Sequence, residues 1–326
     1  MTAVAPVVSV ALASYNGGRF IAEQLASILA QTRRPDEVVV SDGGSTDDTV
    51  RVARGVLERD GEGVRWQILA DGSRLNVREN FQRAIAATHG DLIALSDQDD
   101  VWRPDRLSRT VTRFDEPGVM LASSDARLID AAGVAMPLTL FGALGVGARE
   151  LEQLGSRHAF ALLIRRNLVT GATVMFRREL LRAAEPFPQD WVHDEWLAIV
   201  AAAVGRLAVD PQPLIDYRQH GENTIGVTAP TLRYRVQRMV ESRGTRYQVL
   251  AARSVELSAR LDQLGAPLVW RALARRKASF ENVRAGYDPR RFRRILPALR
   301  ELRSGSYQRL SSQGSLDIAR DLVQRP

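Results

Sequence analysis

Three times within the first hundred residues, a short apolar run leads through a turn of small or polar residues into a segment with helical spacing of its apolar side chains. The apolar runs cover 7–13, 38–40 and 66–70, and the helical segments cover 19–31, 48–57 and 79–87. Repeated strand–helix units favour a parallel sheet with crossover helices. Ligands of such sheets bind at the carboxyl ends of the strands, so the polar residues that follow each run are candidates for a binding site.

A further apolar run, Leu92 to Leu95, ends directly in an acidic turn. Asp97 and Asp99 are two positions apart, so an extended segment projects both side chains to one side. They could approach one cation, or a phosphate bound through it, and carboxylate oxygens suit Mg²⁺ or Mn²⁺ whose coordination is completed by substrate phosphates. The alternative is an acidic turn that caps a helix beginning near Pro104.

The first two turns also carry candidate ligand contacts. Tyr15 follows the first run and could stack on a base, and Asp42 follows the second and could accept a hydrogen bond from a base N–H or a ribose hydroxyl. The alternatives are a half-buried tyrosine at a strand end and an aspartate that only forms the turn before two glycines.

A change of charge divides the chain. Residues 1–230 carry 24 arginines and 30 acidic residues, a net charge of −6, whereas 231–326 carry 20 arginines, one lysine and 8 acidic residues, a net charge of +13. We therefore expect one α/β domain over 1–230 and a basic helical region over 231–326.

Composition excludes several classes of chemistry. The chain has no cysteine, which excludes disulfides, thiolate nucleophiles and cysteine-bound metals. The first residues do not have the pattern of a signal peptide, and no apolar run is long enough to cross a bilayer. A cytoplasmic location is the expectation.

The basic region contains one segment with a distinctive pattern. Residues 290–303 interleave Phe292, Ile295, Leu296, Leu299 and Leu302 with six arginines. A basic amphipathic helix of this kind can lie on an anionic membrane surface, here the inner face of the cytoplasmic membrane. The alternative is a helix that packs on the main domain with a solvated arginine face. A nucleic-acid partner is not expected, because the charge is not interleaved with aromatic residues in a known binding motif.

Six stretches, taken in order and with their spacing, resemble a known family. They read S-Y-N-G-G-R-F from Ser14, V-V-V-S-D-G-G-S-T-D from Val38, S-D-Q-D-D-V-W from Ser96, R-N-L-V-T-G-A from Arg166, H-D-E-W-L-A from His193 and Y-R-Q-H-G-E-N from Tyr217. Together they are similar to family 2 of the inverting glycosyltransferases, which use nucleotide sugars and have the GT-A fold, and within it to the rhamnosyltransferase-like branch. The resemblance covers about residues 7 to 227.

This resemblance implies a Rossmann-like GT-A sheet flanked by helices, with a helical extension. It also implies roles for the residues at the nucleotide. Tyr15 and Asp42 resemble the residues that hold the base, with Asn16 nearby, and Ser14 is a further nucleotide-sugar contact. Asp97 and Asp99 resemble the D-x-D motif, in which Asp99 would be the metal ligand and Asp97 would contact the ribose, with Mg²⁺ or Mn²⁺ as the cofactor.

The resemblance implies roles on the sugar side as well. Asp194 lies where the family has its general base, and the neighbouring Glu195 is the alternative for that role. Thr170 and Gly171 correspond to the wall between donor sugar and acceptor, although a plain sheet strand over 169–175 is an equal interpretation. The remaining nucleotide-sugar contacts implied are Trp196 and His220. His220 precedes a glycine-rich segment that could close over the site, or it is a surface histidine.

The expected function is transfer of a sugar, L-rhamnose from dTDP-L-rhamnose in particular, to a saccharide or lipid-linked saccharide in the synthesis of cell-surface polysaccharide. Two other classes remain open at this point. A glycoside hydrolase would use paired carboxylates without a metal. A peripheral-membrane protein that keeps the fold without catalysis would need no intact acids, whereas Asp42, Asp97, Asp99 and Asp194 are all present.

Overall fold

The computed structural model describes residues 5–220, 243–314 and 316–324. The strands are β1 (Val8–Ser14), β2 (Glu37–Asp42), β3 (Arg65–Leu69), β4 (Leu92–Asp97), β5 (Val101–Trp102), β6 (Val119–Ile129), β7 (Ala135–Thr139), β8 (Met175–Arg177) and β9 (Arg206–Arg218). They form one sheet in the order β3-β2-β1-β4-β8-β6-β9-β5, with β7 paired to β6.

Helices connect and cover these strands. Those before residue 221 are α1 (Ile21–Leu29), α2 (Thr49–Asp60), α3 (Val77–Ala86), α4 (Arg106–Thr112), α5 (Leu140–Leu144), α6 (Ala148–Leu154), α7 (Ala159–Leu163), α8 (Leu181–Ala184) and α9 (His193–Val204). The described helices after residue 242 are α10 (Arg246–Gln263), α11 (Leu268–Ala285), α12 (Arg291–Arg303), α13 (Ser306–Leu310) and α14 (Leu316–Val323). None of the helices in these ranges is long and apolar enough to cross a membrane.

The predicted α/β architecture is confirmed. Strands β3, β2, β1 and β4 are parallel, as the three strand–helix units predict, whereas β8 is antiparallel to both of its neighbours and joins this half to β6. Two apolar clusters cover the two faces of the sheet: one contains α1 and α2, and the other contains α3 and α9.

The register of the parallel strands aligns their carboxyl ends. Ser14 at the end of β1 lies opposite Asp42 at the end of β2, and Ala13 lies opposite Asp97 at the end of β4. The turns after these strands therefore meet at one edge, which is where parallel sheets bind ligands.

One predicted strand is wrong. Residues 169–175 do not form a strand; Gly171–Thr173 is a single 3₁₀ turn, and β8 begins only at Met175. The turn forms because both the amide and the hydroxyl of Thr173 donate to the carbonyl of Thr170, at 2.9 Å and 2.8 Å. The β-branched residues of this segment favour a strand. The local hydrogen bonds of Thr173 to Thr170 form a turn here instead.

The C-terminal helices pack on the main sheet domain. Leu257 and Leu261 of α10 belong to the same buried cluster as α9, and Trp270 of α11 packs against Phe160 of α7 with ring centroids 5.2 Å apart. Of the two interpretations of the basic region, packing on the domain is therefore observed for α10 and α11. The start of the predicted basic helical region and the boundary at 230/231 lie outside the described residues.

Candidate functional site

The acidic turn between β4 and β5 places three carboxyl groups close together. Asp100 is buried and accepts a hydrogen bond from the backbone N–H of Arg218 at 3.1 Å, while its Oδ2 has no partner among the described residues. Asp99 Oδ2 lies 2.7 Å from Nε2 of His220. Burial, and then the charges of Asp99 and Asp194, raise the pKa of Asp97 to about 8. The turn therefore concentrates acidic groups in a desolvated place, where they oppose one another's ionisation.

Arg106, in the first turn of α4, is the buried cation beneath this turn. Its guanidinium stacks on the ring of Trp102 at 3.6 Å and donates to the carbonyl of Leu95 at 3.3 Å. Burial lowers the pKa of Arg106 to about 9, so it is still charged at neutral pH. The other arginine at the turn, Arg218, is paired with Glu23, so the charge of Arg106 does not offset Asp97, Asp99 and Asp100 when all three are ionised.

This charge imbalance fits a divalent cation. Carboxylates that raise one another's pKa are stabilised in their ionised form by a metal ion. No group of three His, Asp or Glu side chains is placed to hold an ion by itself within the part of the chain that the structure describes. The donor set therefore suits a metal that one or two carboxylates hold together with ligand phosphates, which is the usual coordination of Mg²⁺.

Asp194 lies at the N-terminus of α9, at the same edge of the sheet. Its Oδ2 accepts a hydrogen bond from the backbone N–H of Gly171, and its Oδ1 accepts one from that of Glu195, both at 2.7 Å. Burial raises the pKa of Asp194 to about 6 in spite of these hydrogen bonds. The carboxylate of Asp194 is therefore ionised at neutral pH and fixed in position by two backbone hydrogen bonds. Its raised pKa means that it takes up a proton more readily than an exposed aspartate does.

Glu195 has a different environment. Its carboxylate forms an ion pair with Arg253 of α10, and the guanidinium of Arg253 stacks over the ring of Trp191 at 4.1 Å. The C-terminal helices thus neutralise and hold Glu195. The charge of the same Arg253 also lowers the pKa of Asp194, but less than burial raises it. This difference favours Asp194 over Glu195 as a proton acceptor.

Gly171 lies in tight packing beside Asp194. A Cβ atom at this position would lie 3.1 Å from Nε2 of His193 and 3.3 Å from Oδ2 of Asp194. His193 itself stacks on Phe81 at 4.0 Å, is buried, and has a pKa lowered to about 3 by that burial. Gly171 thus lies against Asp194, and the role of Thr170 and Gly171 as the wall of the sugar site stays a prediction.

The turn after β1 presents one exposed aromatic ring. Tyr15 is 51% exposed, and its backbone is held by Gln98: the Tyr15 N–H donates to Oε1 at 2.8 Å, and Nε2 donates to the Tyr15 carbonyl at 2.9 Å. Asn16 has a positive φ of 47° and accepts a hydrogen bond from the N–H of Thr46 at 2.9 Å. The three turns are therefore joined, and the Tyr15 ring is accessible to a planar ligand.

Asp42 forms the turn after β2. Its two oxygens accept hydrogen bonds from the hydroxyls of Ser14 and Ser45 and from the N–H groups of Gly44 and Ser45, at 2.5–3.1 Å. These four bonds use the acceptor capacity of a carboxylate. Of the two interpretations of Asp42, the structure favours the turn-forming aspartate, and contact with a base would require one of these bonds to open. Ser14 is buried and supports Asp42 in the same way.

Trp196 does not lie in the site, and the expectation of a nucleotide-sugar contact is wrong for this residue. Its side chain has no exposed surface, and its N–H donates to the carbonyl of Ala184 at 2.8 Å. Helical periodicity explains the error, because Trp196 is two positions after Asp194 and so points away from it, into the core between α8 and α9.

His220 lies at the end of β9, directly beside the acidic turn. Besides its contact with Asp99, its ring stacks on Phe20 with centroids 5.0 Å apart. The preceding Arg218 donates to the carbonyl of Asp99 at 2.8 Å and to Glu23 of α1 at 2.7 Å. His220 is therefore part of the acidic site and not a surface histidine. The predicted closing segment after it lies outside the described residues.

Comparison with known proteins identifies the family. A family model described as "Glycosyl transferase family 2" matches residues 9–184, which is more than half of the chain. The chain belongs to glycosyltransferase family 2. The matched range includes the turns after β1 and β2, the acidic turn and Gly171, whereas Asp194 and His220 lie beyond it.

Curated relatives in the family have low identity and cover part of their own length. An uncharacterized glycosyltransferase of Nostoc sp. is 28% identical over 226 residues, which is 66% of this chain and 66% of that protein. The succinoglycan biosynthesis protein ExoU of Rhizobium meliloti is 35% identical over 136 residues, 41% of this chain and 38% of that protein. The chain thus spans about two thirds or less of the relatives it matches.

A solved structure confirms the family 2 fold. The mannosyltransferase PcManGT from Pyrobaculum calidifontis, determined with GDP-Man and Mn²⁺, has a TM-score of 0.56 and 19% identity to this chain, with 98% of this chain and 85% of that one covered. The predicted GT-A architecture with added C-terminal helices is therefore correct.

Four residues of this family 2 site were not predicted: Gln98, Arg106, Arg218 and Arg253. Gln98 and Arg218 are inside quoted motifs, so their position beside the candidate acids was a usable signal. Arg106 and Arg253 gave no signal, because an arginine in an amphipathic helix is ordinarily solvated and only the tertiary structure buries it.

Proposed function

We propose that this protein is a metal-dependent, inverting glycosyltransferase that moves a sugar from a nucleotide diphosphate to a saccharide or lipid-linked saccharide. Asp194 acts as the general base. Asp99, with Asp97, holds the metal ion, Mg²⁺ or Mn²⁺, and Tyr15 stacks on the nucleotide base. The transferase domain ends near residue 230, and residues 231–326 form a helical addition to it.

The reaction needs one proton acceptor and one stabilised leaving group. The carboxylate of Asp194 takes the proton of an acceptor hydroxyl while that oxygen bonds to the anomeric carbon of the donor and the bond to the diphosphate breaks. Direct displacement from the opposite face inverts the anomeric centre. A divalent cation between Asp99 and the phosphates would offset the charge that develops on the diphosphate.

The observation that carries this proposal is that two different acidic sites, Asp194 and the acidic turn between β4 and β5, lie at the same edge of the sheet in a family 2 protein. Asp194 is a held carboxylate with a pKa raised to about 6 by burial, and the acidic turn has negative charge that Arg106 alone does not offset. Carboxylates whose environments differ in this way take different roles. The ion pair of Glu195 with Arg253 supports the assignment of the base to Asp194.

The donor is assigned as dTDP-L-rhamnose on the resemblance of the six motifs, taken together, to the rhamnosyltransferase-like branch. The relative ExoU, named for succinoglycan biosynthesis, supports an acceptor in cell-surface polysaccharide synthesis. The protein would then act at the cytoplasmic side of the membrane, where nucleotide sugars are available.

Binding of nucleotides tests the proposal directly. Calorimetry with a panel of nucleoside diphosphates and nucleotide sugars would be run in Mg²⁺, in Mn²⁺ and in EDTA. We expect one donor class to bind with the metal only, with dTDP and dTDP-L-rhamnose binding most tightly, and we expect Asp99→Asn to lose this binding. Asparagine preserves a polar partner for His220, so the variant removes a charge and little else.

Asp48→Asn is the matched control, because Asp48 is an exposed aspartate in an ion pair with Arg51 on α2. It should bind as the native protein does. Metal-dependent binding of a uridine or guanosine nucleotide in place of dTDP would overturn the rhamnose assignment alone. Failure of the native protein to bind any member of the panel would overturn the transferase proposal.

A further inference from the structure

The helices α12 and α14, which pack on each other, turn their polar side chains inward. Arg294 of α12 has no exposed surface and donates through all three guanidinium nitrogens. Its acceptors are the backbone carbonyls of Asp288, Pro289, Asp321 and Gln324, at 2.6–3.2 Å. An arginine therefore occupies the position that a core leucine takes in an ordinary amphipathic helix.

The buried side of α14 is polar as well. Asp317 and Asp321 are buried, and the carboxylate of Asp321 accepts hydrogen bonds from Arg284, Tyr247 and Tyr307 at 2.7–3.0 Å. This network joins α14 to α10, α11 and α13. The buried polar groups of both helices are thus held mainly by charge pairs and hydrogen bonds, although Nε of the buried Arg320 has no partner among the described residues.

The outer faces are apolar. Phe292, Ile295, Leu296 and Leu299 of α12, spaced to form one stripe, are 41–65% exposed, and Leu316 and Val323 of α14 are 60% and 46% exposed. We call these six residues the apolar face. The four residues of α12 share one face of that helix, and such a run of exposed apolar side chains is characteristic of an interaction site, whereas single exposed apolar residues are not.

Arginines flank the apolar face. At 100° per residue, Arg291 lies on one side of the α12 stripe, Arg293 and Arg300 lie on the other, and Arg303 lies at its end; all four are exposed. The only acidic residue of α12 is Glu301. Long arginine side chains beside an apolar stripe can reach charged groups while the stripe is buried in an apolar medium.

We propose that the apolar face with its flanking arginines docks on an anionic lipid bilayer. The helix axis of α12 lies in the plane of the interface, the six apolar side chains enter the acyl boundary, and the arginines contact lipid phosphates. A second copy of this chain is the poorer occupant, because a symmetric pairing of the face would set arginines against arginines. This inference rests on the surface alone and does not require the proposed transfer reaction.

Vesicle binding tests it on the full chain. Co-sedimentation would compare vesicles of phosphatidylcholine with vesicles that also contain phosphatidylglycerol. We expect binding to the anionic vesicles only, weakened when salt is raised from about 0.1 M to about 0.5 M. The double variant Phe292→Asp with Leu296→Asp should bind at least about tenfold more weakly. Val134→Asp is the control, since Val134 is a 61% exposed apolar residue before β7.

The absence of cysteine in the chain allows a second measurement of insertion. Leu296→Cys and Val134→Cys, each labelled with an environment-sensitive fluorophore, should differ: the first should gain intensity and shift to the blue with anionic vesicles, and the second should not. This readout does not depend on an acidic substitution in α12, and circular dichroism checks that each variant is folded.

Three results would overturn the proposal. One is equal binding of the native protein and the double variant, and another is equal loss in the Val134→Asp control. The third is a native dimer that the double variant converts to a monomer, without vesicle binding by the native protein; in that case a second copy covers the face.

Discussion

Replacing Asp194 with asparagine should abolish transfer while leaving the fold as stable as before at alkaline pH. The variant keeps the shape of the side chain but removes the proton acceptor. A general base contributes about 10²- to 10⁴-fold to a reaction rate, so we expect a loss of activity of that size. Stability should respond differently, because the charge of Asp194 is itself costly to bury.

The structure gives the size of the stability effect. Burial raises the pKa of Asp194 from 3.8 to about 6. The folded chain therefore binds the proton more tightly than the unfolded chain, and stability declines as pH rises from about 4 to about 6. Since each pKa unit corresponds to about 1.4 kcal/mol, ionised Asp194 lowers the free energy of unfolding by about 3 kcal/mol at pH 8, and by about half of that at pH 5.

Asparagine removes this cost but loses a hydrogen bond. A single amide oxygen cannot accept from both Gly171 and Glu195 in the present geometry, and one buried N–H left without a partner costs about 1–3 kcal/mol. The free energy of unfolding of Asp194→Asn should therefore equal or exceed that of the native protein by about 0–2 kcal/mol at pH 8. The difference between the two proteins should be smaller at pH 5, by about 1–2 kcal/mol.

Denaturant unfolding in EDTA at the two pH values measures this difference, and release of the nucleoside diphosphate measures activity. Glu195→Gln is the control, because its carboxylate is already paired with Arg253; it should retain activity within about tenfold. The reasoning is refuted if Asp194→Asn stays active while Glu195→Gln does not. It is equally refuted if the stability difference is the same at both pH values.

Three further predictions follow from the same contacts. In native protein, kcat/KM should fall about tenfold per pH unit below about pH 6, because protonation removes the base Asp194; a limb near pH 4 in the pH profile would contradict its burial. Gly171→Ala should reduce activity strongly, since its Cβ would lie 3.3 Å from Asp194 Oδ2. Gly55→Ala, at an open position of α2, is the control: its activity should equal that of the native protein, and its melting temperature should be unchanged or higher. Arg253→Ala should lower thermal stability by breaking its contacts with Glu195 and Trp191, and an unchanged melting temperature would show that the C-terminal helices do not support α9.

The strand–helix units and the position of the acidic turn could be predicted from the sequence. Alternation of apolar runs and helical segments is a local property, and the boundaries of β1, β2 and α1 agree with the predicted ones within about two residues. The rule that ligands bind at the carboxyl ends of parallel strands then predicts that Tyr15, Asp42 and Asp97 lie at one edge.

The roles within that edge depended on contacts between distant segments. Glu195 differs from Asp194 only because Arg253, 58 positions later in the chain, lies against it. The oxygens of Asp42 already accept hydrogen bonds from residues of its own turn. The indole N–H of Trp196 already donates to a carbonyl of α8. Sequence position alone carries no information on which acceptor sites are already occupied.

The orientation of α12 also depends partly on the sequence alone and partly on the tertiary structure. The sequence by itself determined that residues 290–303 form a basic helix with an apolar stripe, because helical periodicity fixes which side chains share a face. Only the tertiary structure decided that Arg294 turns inward and Phe292 and Leu296 turn outward. The physical reason is that a buried arginine is stable only where carbonyl groups from other segments satisfy its N–H groups, and those carbonyls come from the loop before α12 and from α14.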